Sequence, residues 1–227
     1  MGRVSVILPA AGAGRRFGGD ENKIFRPLGG RAIVLRTLEA FVGRDDVCQV
    51  QLVLSRQDMD VARQRFLWEL DAGGVSLTIG GNSRSESVGN ALGNLTDSAE
   101  MVCIHDAVRP CISRECIDAV IRKAAETGAA ILAWPVHGTL KLAGRDGTIE
   151  STVSRERLWQ AQTPQVFRRE LIERAYAAAA HGATDDAALV EAAGHAVTLV
   201  PGHPGNIKIT TPEDLALAEA ILLARPE

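Results

Sequence analysis

Three polar stretches that follow short apolar runs carry residue types able to handle phosphate. The first is Pro9-Ala10-Ala11-Gly12-Ala13-Gly14-Arg15-Arg16-Phe17-Gly18-Gly19-Asp20-Glu21-Asn22-Lys23. Small residues let backbone N–H groups approach an anion closely, and Arg16 and Lys23 can close over it as fixed positive charge. The dinucleotide fingerprint G-x-G-x-x-G fails, because Phe17 stands where its third glycine belongs. The Walker pattern started at Gly14 fails too, because Asp20 takes the lysine position. A nucleoside triphosphate is the natural guest of such a loop, and a solvated strand-to-helix connection is the plainer alternative. The second stretch is Gly80-Gly81-Asn82-Ser83-Arg84-Ser85-Glu86-Ser87. Ser83 and Glu86 have capping-box spacing, so a helix opens here, and its N–H groups beside a glycine pair suit a nucleotide. A well-capped helix without a ligand meets the same spacing. The third is Ile104-His105-Asp106-Ala107-Val108-Arg109-Pro110, just past the carboxyl end of an apolar strand, where open α/β sheets bind ligands. There Asp106 could orient a divalent metal on triphosphate oxygens and Arg109 could meet a phosphate, unless the two are only an ion pair. His105 is expected to be structural.

Three further stretches are polar for their context: 155–165, Thr184-Asp185-Asp186, and Gly205-Asn206-Ile207-Lys208-Ile209-Thr210. Each has a plain account. Thr184 can cap a helix, Trp159 suits a core, and Lys208 suits a solvated strand edge.

The elements that must position these groups follow from hydrophobic period. Short runs at Val4–Leu8, Val50–Leu54, Val75–Ile79, Met101–Ile104 and Ala129–Trp134 alternate with helical patterns at 33–41, 58–70, 84–95 and 114–127. That alternation predicts a Rossmann-like α/β fold, a mostly parallel sheet with helices on both faces. After Trp134 the rhythm breaks into two extended runs joined by Gly144-Arg145-Asp146-Gly147, which predicts a protruding β-hairpin arm over about 135–157 within a single domain of 1–227. Helices at 169–180 and 185–193, a strand at 197–200 and a helix from Pro212 complete the chain. Thr211 and Asp214 have capping-box spacing at that last helix.

Composition excludes several classes. Lys and Arg number 25 against 28 Asp and Glu, which gives no electrostatic case for gripping nucleic acid. No run approaches the length of a membrane span, and the apolar run at Val4–Leu8 is too short for a signal peptide, so no membrane partner and a cytoplasmic location are expected. Four cysteines without a C-x-x-C pair predict buried reduced thiols rather than zinc ligands or disulfides.

Taken together, the clusters resemble the 2-C-methyl-D-erythritol 4-phosphate cytidylyltransferases of the non-mevalonate isoprenoid pathway. Six motifs in order carry the resemblance across nearly the whole chain: Ala10–Arg16 with Lys23, Gly80-Gly81 with Arg84 and Ser87, 105–110, 161–165, 184–186 and 206–210. The first is shared by many sugar-nucleotide-forming enzymes, whereas the last four together are specific. The resemblance implies CTP as co-substrate with Mg²⁺, and attack of the methylerythritol phosphate on the α-phosphorus with release of pyrophosphate. It implies that Arg16 and Lys23 stabilise the transition state and that Ala10, Ala11, Gly12, Gly14, Gly81, Ser87 and Ala107 line the nucleotide. Asp106 would serve the metal and the chemistry with Lys208, while Arg109, Thr139, Arg155, Thr163 and Thr184 would contact the sugar phosphate. The arm would cross to a second subunit, making a homodimer in which Arg155 acts in trans. Three positions depart from the family's usual pattern: Asn22 for proline, which should loosen Lys23; Asn82 for aspartate; and Gly138 for aspartate on the arm. A cytidylyltransferase for another sugar-alcohol phosphate, such as ribitol 5-phosphate, is the nearest enzymatic rival, and a nucleotide-binding module without turnover is the rival from another class.

Overall fold

The computed structural model describes residues 2–12, 21–178 and 185–224. Among them, the central sheet has seven strands. In chain order the elements are β1 (Val4–Pro9), β2 (Pro27–Leu28), β3 (Arg31–Ala32), α1 (Ile33–Glu39), β4 (Val47–Leu54), α2 (Arg56–Ala72), β5 (Val75–Ile79), α3 (Arg84–Leu92), β6 (Met101–Ile104), α4 (Arg114–Thr127) and β7 (Ala129–Pro135). There follow β8 (Leu140–Ala143), β9 (Ile149–Val153), β10 (Trp159–Arg168), α5 (Arg169–Ala178), α6 (Asp186–Ala192), β11 (Thr198–Pro201) and α7 (Pro212–Leu223). The sheet order is β11-β7-β10-β6-β1-β4-β5, parallel except for β10, which runs antiparallel to both neighbours.

Alternation along β1 assigns its side chains to two cores. Val4, Val6 and Leu8 pack with α1, α2 and α4 residues such as Ile33, Ala62 and Ile117. Ile7 faces the other way and joins Val88 of α3, Ile172 of α5 and Val190 of α6. A strand with period two therefore feeds helices on both faces, as a buried parallel sheet requires. From β1 the chain moves out through β4 to β5 and then returns to β6 on the other side of β1, so the order reverses at the carboxyl end of β1. Ligand crevices of open α/β sheets lie at such a reversal.

The alternating part matches the hydrophobic period closely, and the Thr211–Asp214 capping box on α7 is present. The strand β10 is different: the stretch 155–165 carried no strand signal. Its first half, Gln-Ala-Gln-Thr-Pro-Gln, lacks the β-branched alternation that marks a strand, yet it fills the centre of the sheet because β6 and β7 offer ladder partners on both sides. Trp159, expected in a core, lies at the open start of this strand and is 39% exposed. The helix cap before α6 is Asp185, whose side chain accepts from the Ala188 N–H; Thr184 lies outside the described residues.

The segment between β7 and β10 forms a separate ribbon. Strands β8 and β9 pair only with each other, every β9 residue is exposed, and Ile149 is 64% exposed. An isolated two-stranded ribbon is marginal in water, and this one displays Leu142, Ile149 and Val153.

Candidate functional site

The carboxyl ends of β1, β5 and β6 surround a cavity of about 300 Å³. Ala10, Ala11 and Gly12 form one wall, Asn22 and Lys23 the floor, and Gly81, Arg84 and Ser87 the opposite wall. The two walls touch because of glycine. A Cβ on Gly80 would come within 2.5 Å of the Ala11 methyl carbon and 2.8 Å of Ser87 Oγ, so any larger residue would push α3 away from the loop. Ser83 caps α3 by accepting from the Glu86 N–H at 3.0 Å, and Ser87 Oγ accepts from the Gly81 N–H at 3.1 Å. Both halves of the earlier alternative thus hold together: the helix is well capped and its start lines a cavity.

Asn22 does more than its place beside Lys23 suggested. Its Nδ2 donates to Asp58 Oδ2 at 2.9 Å and lies 3.2 Å from the Ala10 carbonyl and 3.3 Å from that of Gly12, while Oδ1 accepts from the Ile24 N–H. Asp58 in turn accepts from Ser55 Oγ at 2.7 Å. One buried amide therefore joins both ends of the loop to the start of α2. Instead of loosening Lys23, Asn22 caps the short 3-10 turn that Lys23 begins. Arg16 and Gly14 lie outside the described residues.

A second cavity of about 270 Å³ adjoins the first and is lined by Arg109, Ala161, Gln162, Thr163, Gln165 and Asp185. Arg84, Asp106 and Lys208 line both. The wall around Thr163 exists because β10 is bulged: Ala161 pairs with Ala133 but Gln165 with Ile131, so β10 carries extra residues there. Asn206 braces the bulge, donating from Nδ2 to the Thr163 carbonyl at 2.8 Å and accepting from Arg109 Nη1 on its own carbonyl at 2.7 Å.

Asp106 sits at the seam between the cavities. Lys208 Nζ lies 2.9 Å and Arg109 Nε 3.1 Å from its Oδ2, and Arg84 Nε is 3.7 Å from Oδ1. Burial alone would push this carboxyl up, but the fields of Lys208, Arg84 and Arg109 together outweigh it and hold Asp106 well below the usual carboxylate range. His105, beneath it, is fully buried. Its Nδ1 is 3.1 Å from Thr163 Oγ1, its Nε2 is 3.2 Å from the Arg109 carbonyl, and its ring packs on Phe41. Burial lowers its pKa to about 4, so at neutral pH it is an uncharged brace between the Asp106 turn and the β10 bulge.

Several residues stand apart from the cavities. Ala107 is buried and gives its carbonyl to Thr37 Oγ1; its neighbour Val108 lines the first cavity instead. Thr139 and Arg155 are exposed on and beside the ribbon and line neither cavity of their own chain; the Arg155 guanidinium donates to the His137 carbonyl. Arg84, Gln165 and Asp186 had received no role from the sequence. Asp186 was singled out in the sequence only as part of the Thr184-Asp185-Asp186 stretch.

All four cysteines are free. Cys103 and Cys111 are buried, as expected, while Cys48 and Cys116 are half-buried. Among the described residues no group of three or more His, Cys, Asp or Glu could hold a metal ion, and no helix is long and apolar enough to cross a membrane.

Known proteins are similar to this chain over nearly its whole length. A relative from Rhodopirellula baltica named 2-C-methyl-D-erythritol 4-phosphate cytidylyltransferase is 46% identical over 96% of this chain and 94% of its own length. One of the same name from Solibacter usitatus is 41% identical over 97% and 96%. The crystal structure of the protein of that name from Thermus thermophilus superposes with a TM-score of 0.81 at 34% identity, covering 98% of this chain and 100% of the other. A 4-diphosphocytidyl-2C-methyl-D-erythritol synthase from Anaerococcus prevotii gives 0.83 at 29% identity, covering 98% and 96%. The family model for IspD, 2-C-methyl-D-erythritol 4-phosphate cytidylyltransferase, matches residues 4–224, and the chain belongs to that family.

Proposed function

We propose that the two cavities are the nucleotide and acceptor sites of one reaction and that Arg84, Asp106 and Lys208 mark the seam where the reacting groups meet. The family's reaction transfers CMP from CTP to the phosphate of 2-C-methyl-D-erythritol 4-phosphate, giving 4-diphosphocytidyl-2-C-methyl-D-erythritol and pyrophosphate for isoprenoid synthesis. An acceptor phosphate oxygen forms the new bond to the α-phosphorus, and the electron pair of the broken bond leaves with pyrophosphate. A triphosphate and a phosphomonoester bring about six negative charges together, so the site must mainly neutralise and align. Lys23 on the nucleotide side, with Arg16 from the same loop, is the transition-state clamp in this reading. Lys208 and Arg109 draw the acceptor phosphate, and Thr163 and Thr184 flank its sugar. Ala10, Ala11, Gly12, Gly14, Gly81 and Ser87 hold the nucleotide, with Ala107 behind them. The sharing of three charged residues by two adjoining cavities carries this reading.

Magnesium fits the donor set in one way. Asp106 is a single carboxylate at the seam that already faces three cations, which is too little for an all-protein metal cage but suits an ion held mostly by substrate phosphates. When bound, the ion would neutralise triphosphate charge. The arm supports a homodimer. Its apolar side chains are exposed, and Arg155 and Thr139 line neither cavity of their own chain, so both are assigned to the partner's acceptor cavity. Four free cysteines suit a reducing compartment, the cytoplasm.

Pyrophosphate release by the purified protein tests the reading, with CTP and Mg²⁺ and either methylerythritol 4-phosphate or ribitol 5-phosphate. Strong preference for the first acceptor is expected; preference for ribitol phosphate would overturn the acceptor assignment, and silence with both would overturn the catalytic one.

A further inference from the structure

Arg84 is supported from outside both cavities. Its Nη2 donates to Asp186 Oδ2 at 2.7 Å, and the other oxygen of that carboxylate accepts from the Tyr176 hydroxyl at 2.5 Å. Asp186 is fully buried, Tyr176 is half-buried, and neither lines a cavity. A buried carboxylate is tolerated only when its charge and its lone pairs are met, and here an arginine and a phenol meet one oxygen each. Burial also pushes the Tyr176 pKa up, so the hydroxyl keeps its proton and remains a donor. The chain of contacts runs from α5 through the start of α6 to the start of α3. It leaves the Arg84 side chain 31% exposed, with its Nε 3.7 Å from Asp106 Oδ1 at the seam.

We propose that Asp186 and Tyr176 are positioning residues, which hold the Arg84 guanidinium at the seam so that it serves the nucleotide and the acceptor phosphate at once. The proposal rests on the reading of the two cavities given above. A guanidinium on a flexible stem can reach many places, and two fixed hydrogen bonds behind it select one. Preorganised charge of this kind acts on the transition state more than on the binding of either substrate. Asp185, next in the chain, lines the acceptor cavity and is fixed by Gln165 at 2.8 Å, so the same helix start shapes that cavity and aims its cation.

A double-mutant cycle in the full chain, with CTP, Mg²⁺ and methylerythritol phosphate, tests the proposal. Arg84→Gln should lower kcat about a hundredfold, the loss typical of a preorganised donor. Tyr176→Phe, which keeps the ring and removes only the hydroxyl, should lower kcat about tenfold with both KM values within about twofold, as misplacement of a catalytic group does. In the Arg84→Gln background the same Tyr176→Phe change should cost less than about 1.5-fold, because residues acting through one group are not additive. Asp186→Asn should follow the same pattern, and if that variant does not fold the tyrosine cycle still decides. Equal losses from Tyr176→Phe on both backgrounds, or no loss in the parent, would overturn the positioning role alone. A parent silent with methylerythritol phosphate would instead overturn the reading of the cavities and this inference with it.

Discussion

Lys208 Nζ lies 2.9 Å from Asp106 Oδ2 while its side chain is still 40% exposed. A lysine held by a buried carboxylate at one edge and open to a cavity at the other can turn toward an incoming phosphate without losing its anchor. Arg109, 3.1 Å from the same carboxylate oxygen, would keep Asp106 neutralised once Lys208 turned to a phosphate. Lys208→Gln should therefore leave the fold intact and lower kcat/KM for the acceptor by about two orders of magnitude, as loss of a charged contact to a reacting phosphate does. Steady-state kinetics at varied acceptor check it; an unchanged kcat/KM would remove Lys208 from the reaction.

Asn22 and Lys23, adjacent in sequence, should separate in kinetics. Lys23→Ala should cut kcat about a hundredfold, and so should Arg16→Ala, since each removes a cation from the transition state. Asn22→Ala leaves that charge but unfastens Ala10 and Gly12 from Asp58, so the main effect should be a rise of about tenfold in the KM for CTP, in line with the loss of one or two buried hydrogen bonds. Asn22→Asp should be worse, because it sets a second carboxylate against Asp58. Near-normal kcat in Lys23→Ala would contradict the clamp, and an unchanged KM in Asn22→Ala would contradict the latch.

The fold was legible where period two and period 3.6 are clean, which covers β1, β4 through β7 and their helices, but not the two-residue strands β2 and β3. It was not legible at β10, where a polar, proline-containing segment becomes a central strand through tertiary pairing that no local window contains. The candidate site divides in the same way. Loop residues such as Gly12, Lys23, Gly81 and Asp106 announced themselves by type and by position after a strand, because phosphate chemistry constrains both. Arg84 and Asp186 were visible only as motif members without a role, and Tyr176 not at all, because their meaning lies in contacts between α3, α5 and α6 that are far apart in sequence. Asn22 was visible only as a departure, and its effect ran opposite to expectation because the amide found three oxygens that are invisible in the chain order.

If the arm crosses to a second subunit, a site uses Lys23 from one chain and Arg155 from the other. Arg155→Ala should then raise the acceptor KM far more than that for CTP. A sharper check mixes Lys23→Ala and Arg155→Ala subunits after unfolding and refolding together. Half the dimers become mixed, each with one intact site, so about a quarter of the parent activity should return from two crippled proteins. Action within one chain would return none.

His105 gives a pH prediction for the protein without metal or nucleotide. Its pKa falls from about 6.5 to about 4 on folding, because burial disfavours the imidazolium. The unfolded chain thus binds a proton at higher pH than the folded one, and the stability tied to the neutral ring is complete above about pH 6.5 and drains away as pH falls toward 4. The full difference corresponds to about 3 kcal/mol. Asp106 behaves oppositely in its window: its carboxyl is held low in the fold, so its contribution persists until pH drops below the ordinary carboxylate value of 3.8. Loss between about pH 6.5 and 4.5 therefore isolates the histidine from the Asp106 carboxylate. Urea unfolding at about pH 7 and 4.5 should differ by about 2 kcal/mol or more in the parent, and the pH-dependent part should vanish in His105→Gln, whose amide can keep the Thr163 and Arg109 contacts uncharged. A parent whose stability is flat across that interval would mean that the ring takes up its proton in the fold as readily as in the unfolded chain, and that burial does not hold it neutral.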